Sequence, residues 1–135
     1  MAANVDPIFQ AEPKTVAIEL DNADSTTALT LYAAGANGAL IDNISVTTND
    51  TSDVTLILWF NDGVADFKLG EVLVLDGAGT NGTDPAQNLL APLSLPFLQN
   101  GGGLPLSANT VLKVSAKAAI TAAKVVHVVA FGGDY

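Results

Sequence analysis

Apolar and polar residues alternate with a period of two over most of the chain, a pattern typical of β-strands that bury one face. Val16, Ile18 and Leu20 form the first alternating set. Similar stretches follow at 29–33, 40–48, 54–60, 66–75, 89–97, 104–106, 112–118 and 126–130. Polar or glycine-containing turns separate most of them. This spacing predicts an all-β fold, an antiparallel β-sandwich or jelly roll of about eight strands.

Two of these stretches depart from simple alternation. Residues 54–60 are apolar on both faces, because Ile57 and Trp59 lie opposite a row of four other apolar residues. Such a strand is central in its sheet or lies under another chain. Within 66–75 the inward face switches near Gly70 and Glu71, which predicts a β-bulge.

Three segments are predicted to be less regular. Residues 1–13 form an extended N-terminal arm, which packs either on its own domain or on a neighbour, and residues 14–135 form a single domain. Residues 89–97 are predicted as an edge or irregular strand, since two prolines interrupt them. Residues 116–124 are rich in alanine, but we interpret them as a strand end and a turn, with at most one helical turn.

Composition narrows the function classes. The 135 residues suit one domain, and 14 acidic residues against five lysines and no arginine give a net charge of −9. A chain of this charge repels phosphate, so we expect no nucleic-acid partner, and it lacks the basic amphipathic face of a membrane-surface binder. Without cysteine it has no disulfide framework. The first residues do not resemble a signal peptide, so synthesis in a host cytoplasm is expected.

Catalytic motifs are not apparent. The one histidine, His127, has no second histidine to form a metal site with, and we interpret it as a surface or interface residue. No Gly-x-Ser-x-Gly motif is present, and the glycine clusters at 77–82 and 100–103 lack the lysine of a phosphate-binding loop. The acidic residues do not follow the spacing of a calcium-binding loop. We therefore expect no enzyme activity, no cofactor and no metal site.

Several segments together resemble a known family. They are a short proline-containing N-terminus, AGANGALIDNISV at 34–46, LILWFNDG at 56–63, LPL at 104–106 before TVLKV at 110–114, and VVAFGGDY at 128–135. With these segments the chain resembles the small decoration proteins, also called cement or auxiliary head proteins, of tailed bacteriophages. The resemblance spans most of the chain and rests on strand and turn patterns.

The resemblance implies a virion structural protein on the outer capsid surface. It implies a β-sandwich or jelly roll, usually trimeric, that binds the major capsid protein where capsomers meet and stabilises the head. Such a protein has no catalytic residues. From the residues and this resemblance together, the partner-binding candidates are Ile8, Phe9, Ile57, Trp59, Phe131 and Tyr135.

Two other functions stay open from the sequence. One is a carbohydrate- or receptor-binding β-sandwich module of a phage fibre or spike, which would bind through exposed aromatic side chains such as Trp59. The other is a small jelly-roll enzyme, for which a cluster of polar side chains in a pocket would be needed. A calcium ion or a glycan as ligand is likewise not decided by the sequence.

Overall fold

A computed structural model describes residues 10–93 and 103–135 of the chain. Within these residues the backbone forms nine strands and two short 3₁₀ turns, at Asn22–Asp24 and Ala91–Leu93. The strands are β1 Glu12–Asp21, β2 Leu29–Ala33, β3 Ala39–Thr48, β4 Val54–Asn61, β5 Asp66–Val74, β6 Gln87–Asn88, β7 Leu104–Leu106, β8 Val111–Ala116 and β9 Val125–Asp134.

The strands form two sheets, and all their pairings are antiparallel. Sheet A has the order β1-β9-β3, with β6 and β7 paired to the two ends of the remaining edge of β3. Sheet B has the order β2-β8-β4-β5. If β6 and β7 are counted as two halves of one interrupted strand, this is the strand order of an eight-stranded jelly roll. The predicted all-β sandwich is therefore confirmed.

The core lies between the two sheets and is apolar. Alternate residues of each strand point inward, so Val126, Val128 and Ala130 of β9 face Leu56 and Leu58 of sheet B across the sandwich. Residues 54–60 were predicted to be central in their sheet or to lie under another chain, and the structure shows the first, because β4 pairs with β8 on one side and with β5 on the other.

Three β-bulges interrupt this alternation, each with one extra residue on one strand. The predicted bulge in β5 is present at Leu69, beside Gly70, where the partner residues step from Leu58 to Trp59. A second bulge places an extra residue, Asp42, in β3. The third lies at Leu31 in β2. Each bulge changes which residues of its strand face the core.

The bulge at Leu31 corrects the predicted faces of β2. Strict alternation would put Leu29, Leu31 and Ala33 on one face and Tyr32 on the other. In the structure Leu31 and Tyr32 are both buried, while Ala33 is exposed. The reason is the extra residue in the ladder to β8, which lets two consecutive side chains turn inward.

Part of the prediction for residues 89–97 is wrong. Residues 91–93 form a 3₁₀ turn instead of a strand, and Leu89 and Leu90 are both buried although they are neighbours. The side chain of Asn88 causes this, since its Oδ1 accepts hydrogen bonds from the backbone N–H groups of Leu90 and Ala91. Residues 94–97 lie outside the described residues.

Two other boundaries also shift. β1 begins at Glu12, inside the segment predicted as an arm, because Glu12 and Pro13 pair with Asp134 and Gly133 of β9. The rest of the predicted arm, residues 1–9 with Ile8 and Phe9, lies outside the described residues. β8 ends at Ala116, and residues 117–124 form bends and a turn without a helix.

At one end of the sandwich, a polar cluster joins β1, β2 and β9. The Tyr32 hydroxyl donates to Oδ1 of Asp134 at 3.0 Å, and Nζ of Lys14 lies 3.5 Å from Oδ2 of the same carboxylate. Lys14 also donates to the carbonyl of Ala33 and stands 4.5 Å above the Tyr32 ring. Burial, followed by the hydrogen bond to Asp134, raises the pKa of Tyr32 above its ordinary range, so the hydroxyl stays a donor.

At the opposite end, Asp50 joins three loops. Its carboxylate accepts hydrogen bonds from the Ser52 N–H at 3.0 Å, the Thr121 N–H at 3.1 Å and the Thr121 hydroxyl at 2.8 Å. Its carbonyl accepts from Gly77 in the loop after β5. Burial favours the neutral acid, but the hydrogen bonds from Thr121 and Ser52 outweigh it and hold the pKa of Asp50 below its ordinary value.

Candidate attachment faces

The outward side of sheet A, called face A below, is formed by alternate residues of three adjacent strands. The register places them in rows across β1, β9 and β3. The rows are Thr15, Phe131 and Asn43; Ala17, Val129 and Ser45; and Glu19, His127 and Thr47. The first two rows contain no charged side chain. These two uncharged rows are bordered by the ion pair of Glu19 and His127 on one side and by the exposed Asp42 of the β3 bulge on the other.

The one histidine lies in that ion pair. Nε2 of His127 is 2.7 Å from Oε2 of Glu19 on the neighbouring strand, and both side chains are more than half exposed. Its neighbours Val126 and Val128 are buried. The interpretation of His127 as a surface or interface residue agrees with this position.

The outward side of sheet B, called face B below, has a different chemistry. Ile57 and Trp59 of β4 occupy its centre, with β8 on one side and β5 on the other. Three of the chain's five lysines lie on or beside this face, all in ion pairs. The pairs are Lys113 with Asp66 at 3.3 Å, Lys68 with Glu71 at 3.3 Å and Lys117 with Glu71 at 2.9 Å.

The carboxylates of these pairs are held in the ionised form. A hydrogen bond from the Asn61 amide, and then the contact with Lys113, lower the pKa of Asp66. Lys117, followed by Lys68, lowers the pKa of Glu71. Face B therefore carries fixed charges of both signs at neutral pH. A partner that docks here has to cover these pairs or replace their water.

Trp59 lies against its own sheet instead of projecting from it. Its indole N–H donates to Oγ of Ser115 on the neighbouring strand at 2.8 Å, and Ser115 is 2% exposed. The ring is half-buried. The polar atom with which tryptophan would bind a ligand is thus already engaged, and the ring covers a buried hydroxyl.

We expect Ser115→Ala to lower the free energy of unfolding by about 1 kcal/mol, because the half-buried indole N–H loses its acceptor. Trp59 is the only tryptophan, so its fluorescence reports the change directly. The emission maximum should move to longer wavelength as the ring gains contact with water. The exposed Ser107 gives the control, Ser107→Ala, which should leave both the emission and the stability unchanged. An unchanged spectrum in Ser115→Ala would contradict this account of Trp59.

The predicted partner-binding residues do not form one site. Ile57 and Trp59 lie on face B, and Phe131 lies on face A on the opposite side of the sandwich. Tyr135 follows β9 and sits against the 35–38 turn, where its N–H donates to the carbonyl of Gly38 at 3.2 Å. Ile8 and Phe9 lie outside the described residues.

Sequence reasoning missed the other members of face A. Ala17 and Val129 flank each other across β1 and β9, yet single alanine and valine residues in a strand give no signal of their own. The sequence does show that the outward positions of these two strands, 15 and 17 in one and 129 and 131 in the other, hold uncharged residues. These positions form one surface only because β1 pairs with β9.

Most of the large exposed apolar side chains lie in the edge strand β5 or within two residues of its ends. They are Val64, Phe67, Leu73 and Leu75, while Phe131 is the remaining one on the described part of the chain. The free edge of β5 is partly closed. Gln87 accepts from the N–H of Leu75 at 2.6 Å and donates to the carbonyl of Leu73 at 3.4 Å, the bonds that an added strand would make.

No cation cluster or membrane helix is found in the described residues. Within 10–93 and 103–135 there is no group of three His, Cys, Asp or Glu side chains with the geometry of a metal site. Over the same residues, no helix is sufficiently long and apolar to cross a membrane.

Comparisons with known proteins give little further information. The chain matches no protein family and no curated protein. Among solved structures, one similar chain belongs to the "Cyanophage Pam1 capsid asymmetric unit". The two chains are 14% identical with a TM-score of 0.44, over 98% of this chain and 94% of that one.

Proposed function

We propose that this chain is a non-catalytic structural protein of a bacteriophage head, which binds the outer surface of the capsid through its major capsid protein and stabilises the shell. The observation that carries this proposal is the pair of open sheet faces. Each is formed by alternate residues of at least three adjacent strands. The strand and turn segments that resemble decoration proteins support the same function.

The outward surfaces agree with a protein partner. The net charge of −9 disfavours contact with the packaged DNA, because the chain repels phosphate. A protein on the outside of the head has no need of such contact. The buried polar side chains between the loops form hydrogen bonds with one another and stabilise the fold, as Thr121 does with the Asp50 carboxylate.

A carbohydrate- or receptor-binding module is the second candidate function. The half-buried Trp59 and the exposed Phe131 are the aromatic side chains that would stack on a sugar. They lie on opposite faces, and the Trp59 N–H is bound to Ser115. This arrangement favours flat protein contact over a sugar site, which usually combines a ring with nearby polar groups.

The proposal is tested by measuring the native mass by light scattering and then adding purified heads of the phage that encodes the chain. We expect saturable co-sedimentation with the heads, and a trimer in solution if the protein attaches around points where three capsomers meet. A monomer that does not sediment with heads would contradict the proposal and make glycan screening the next step.

The oligomeric state has a separate test on face B. If a trimer forms by covering Ile57 and Trp59, the double variant Ile57→Asp, Trp59→Ser should reduce the native mass to that of a monomer, since a buried unpaired charge opposes assembly. A variant that keeps both the fold and the native mass of the parent would place the contact between copies elsewhere.

A further inference from the structure

The loop after β5 contains an asparagine followed by a glycine, the dipeptide in which asparagine loses its side-chain amide most readily. Asn81 precedes Gly82, and both residues are exposed. A Cβ built on Gly82 would meet nothing within 4 Å, and its φ of +76° is one that glycine adopts without strain. Over the part of the chain that the structure describes, the Gly82 N–H donates no hydrogen bond. Its nitrogen is therefore unshielded and unengaged there.

The side-chain amide of Asn81 is held by three hydrogen bonds. Its Oδ1 accepts from the backbone N–H groups of Thr83 and Asp84, both at 2.8 Å. Its Nδ2 donates to Oδ2 of Asp84 at 3.0 Å. Two N–H groups at a carbonyl oxygen stabilise the negative charge that develops on it when a nucleophile attacks the carbon. A carboxylate thus lies beside one nitrogen of the amide, and two donors lie beside its oxygen.

From this arrangement we infer that Asn81 is a site of spontaneous deamidation, promoted by the carboxylate of Asp84 and by the two backbone donors. Water is the co-reactant. The reaction needs no partner protein, so it goes beyond the proposed function and does not depend on it.

The reaction has two steps. The backbone nitrogen of Gly82 attacks Cγ of Asn81, so that a new C–N bond closes a succinimide ring and Nδ2 leaves as ammonia. The proton lost by the Gly82 nitrogen passes through the Asp84 carboxylate to the leaving nitrogen. Water then opens the ring at one of its two carbonyl groups, which leaves an aspartate or an isoaspartate. No group is oxidised or reduced.

A second asparagine–glycine pair, in the turn before β3, lacks these features. Asn37 precedes Gly38, which is buried. The Gly38 N–H donates to the carbonyl of Gly35 at 3.2 Å, and a Cβ on Gly38 would stand 2.7 Å from the carbonyl oxygen of Leu106. The Asn37 amide makes one long contact, from Nδ2 to the carbonyl of Tyr135 at 3.4 Å. The backbone nitrogen is engaged and enclosed, so we expect this amide to persist.

Deamidation should loosen the loop in which it occurs. A carboxylate at position 81 would face Asp84, so an attractive contact becomes a repulsion between like charges. Isoaspartate also adds one carbon to the backbone of the turn. Gly79 lies in the same loop, and its N–H donates to the carbonyl of Asp84 at 2.7 Å. We expect the Gly79 N–H to exchange with solvent about tenfold faster after deamidation, as measured by hydrogen exchange.

The test is incubation of the purified full chain in warm neutral buffer, followed by peptide mapping with mass spectrometry. We expect Asn81 to be converted at least about tenfold faster than Asn37 in the folded chain. Mapping also separates both from Asn100, which precedes Gly101 and lies outside the described residues. In the chain unfolded by urea, Asn81 and Asn37 should react at similar rates, because the difference belongs to the fold.

The variant Asp84→Asn separates promoted deamidation from the background reaction of an asparagine–glycine pair. The new side chain keeps an oxygen that accepts from Nδ2 but is no base, so conversion of Asn81 should slow by about tenfold. The new asparagine cannot react by this route, because Pro85 follows it and has no N–H. The rate at Asn37 in the same molecules is the control and should not change.

Thermal unfolding of Asp84→Asn shows whether its fold is kept, and the urea comparison on the parent needs no variant. The inference is overturned if Asn37 loses its amide as fast as Asn81 in the folded parent. It is also overturned if the ratio of the two rates is the same in urea, or if a folded Asp84→Asn converts Asn81 as fast as the parent does.

Discussion

Replacing Gly132 by alanine is expected to lower the free energy of unfolding by about 3 kcal/mol. Gly132 lies in β9 opposite Ile41, next to the bulge at Asp42. A Cβ on Gly132 would stand 2.9 Å from the Cα of Ile41 and even closer to the carbonyl oxygen of Leu40. Both obstacles are backbone atoms of the neighbouring strand, so relief requires the β3–β9 ladder at the centre of sheet A to separate locally.

The control for this prediction is Gly70→Ala in β5. There the nearest atom to an added Cβ is Cδ2 of Leu93 at 2.6 Å, the end of a flexible, partly buried side chain rather than backbone. We expect a loss below about 1 kcal/mol. Urea unfolding followed by circular dichroism measures both variants. Equal losses for the two would show that the bulge at Asp42 does not hold the strands as closely as described.

Replacing Asp50 by alanine is expected to cost about 3 kcal/mol as well, because three hydrogen-bond donors lose a charged acceptor inside the protein. Two of them, the N–H and hydroxyl of Thr121, belong to the loop before β9, and the third is the Ser52 N–H. The exposed Asp76 gives the matched control, Asp76→Ala, with an expected change below about 0.5 kcal/mol.

The stabilising effect of Asp50 should depend on pH. Its pKa is lower in the folded chain than in the unfolded one. The contribution is therefore complete above the ordinary carboxyl pKa of about 4 and is lost as the pH falls through the folded value. The stability difference between the parent and Asp50→Ala should shrink in acid. A difference that stays constant from neutral pH to about pH 2 would mean that the charge of Asp50 plays no part.

Much of the fold follows from local pattern. Alternation located β3, β4 and β5 to within a residue or so, since each has one face against the core and a polar turn at both ends. The bulge near Gly70 was predictable because the inward phase changes at that point. Apolar residues on both faces of β4 predicted a strand that is central or covered by another chain, and only the structure distinguishes the two.

The missed features depend on side-chain hydrogen bonds and on strand pairing, which alternation does not encode. Tyr32 turns inward because the bulge at Leu31 permits it and because its hydroxyl reaches Asp134, 102 residues away in sequence. The turn at 91–93 depends on the side chain of Asn88, which competes with strand pairing. Alternation within one strand contains neither kind of information.

The candidate site was predictable only in part. Phe131, Ile57 and Trp59 stand out as large apolar residues on outward phases, and the structure places them on open faces. The uncharged rows on the outward side of sheet A could not be predicted, because they depend on how three strands from different parts of the chain align. The hydrogen bond from the Trp59 N–H to the Ser115 hydroxyl could not be predicted from the sequence either.

The central claim, that this chain is a structural protein of a bacteriophage head, is tested most directly by quantitative mass spectrometry of purified virions from a phage whose genome contains the coding sequence. The account predicts that the chain is present in a fixed ratio to the major capsid protein and is released from intact heads without release of DNA. Its absence from virions, or a copy number of only a few per particle as in a fibre or spike, would contradict a capsid-stabilising function.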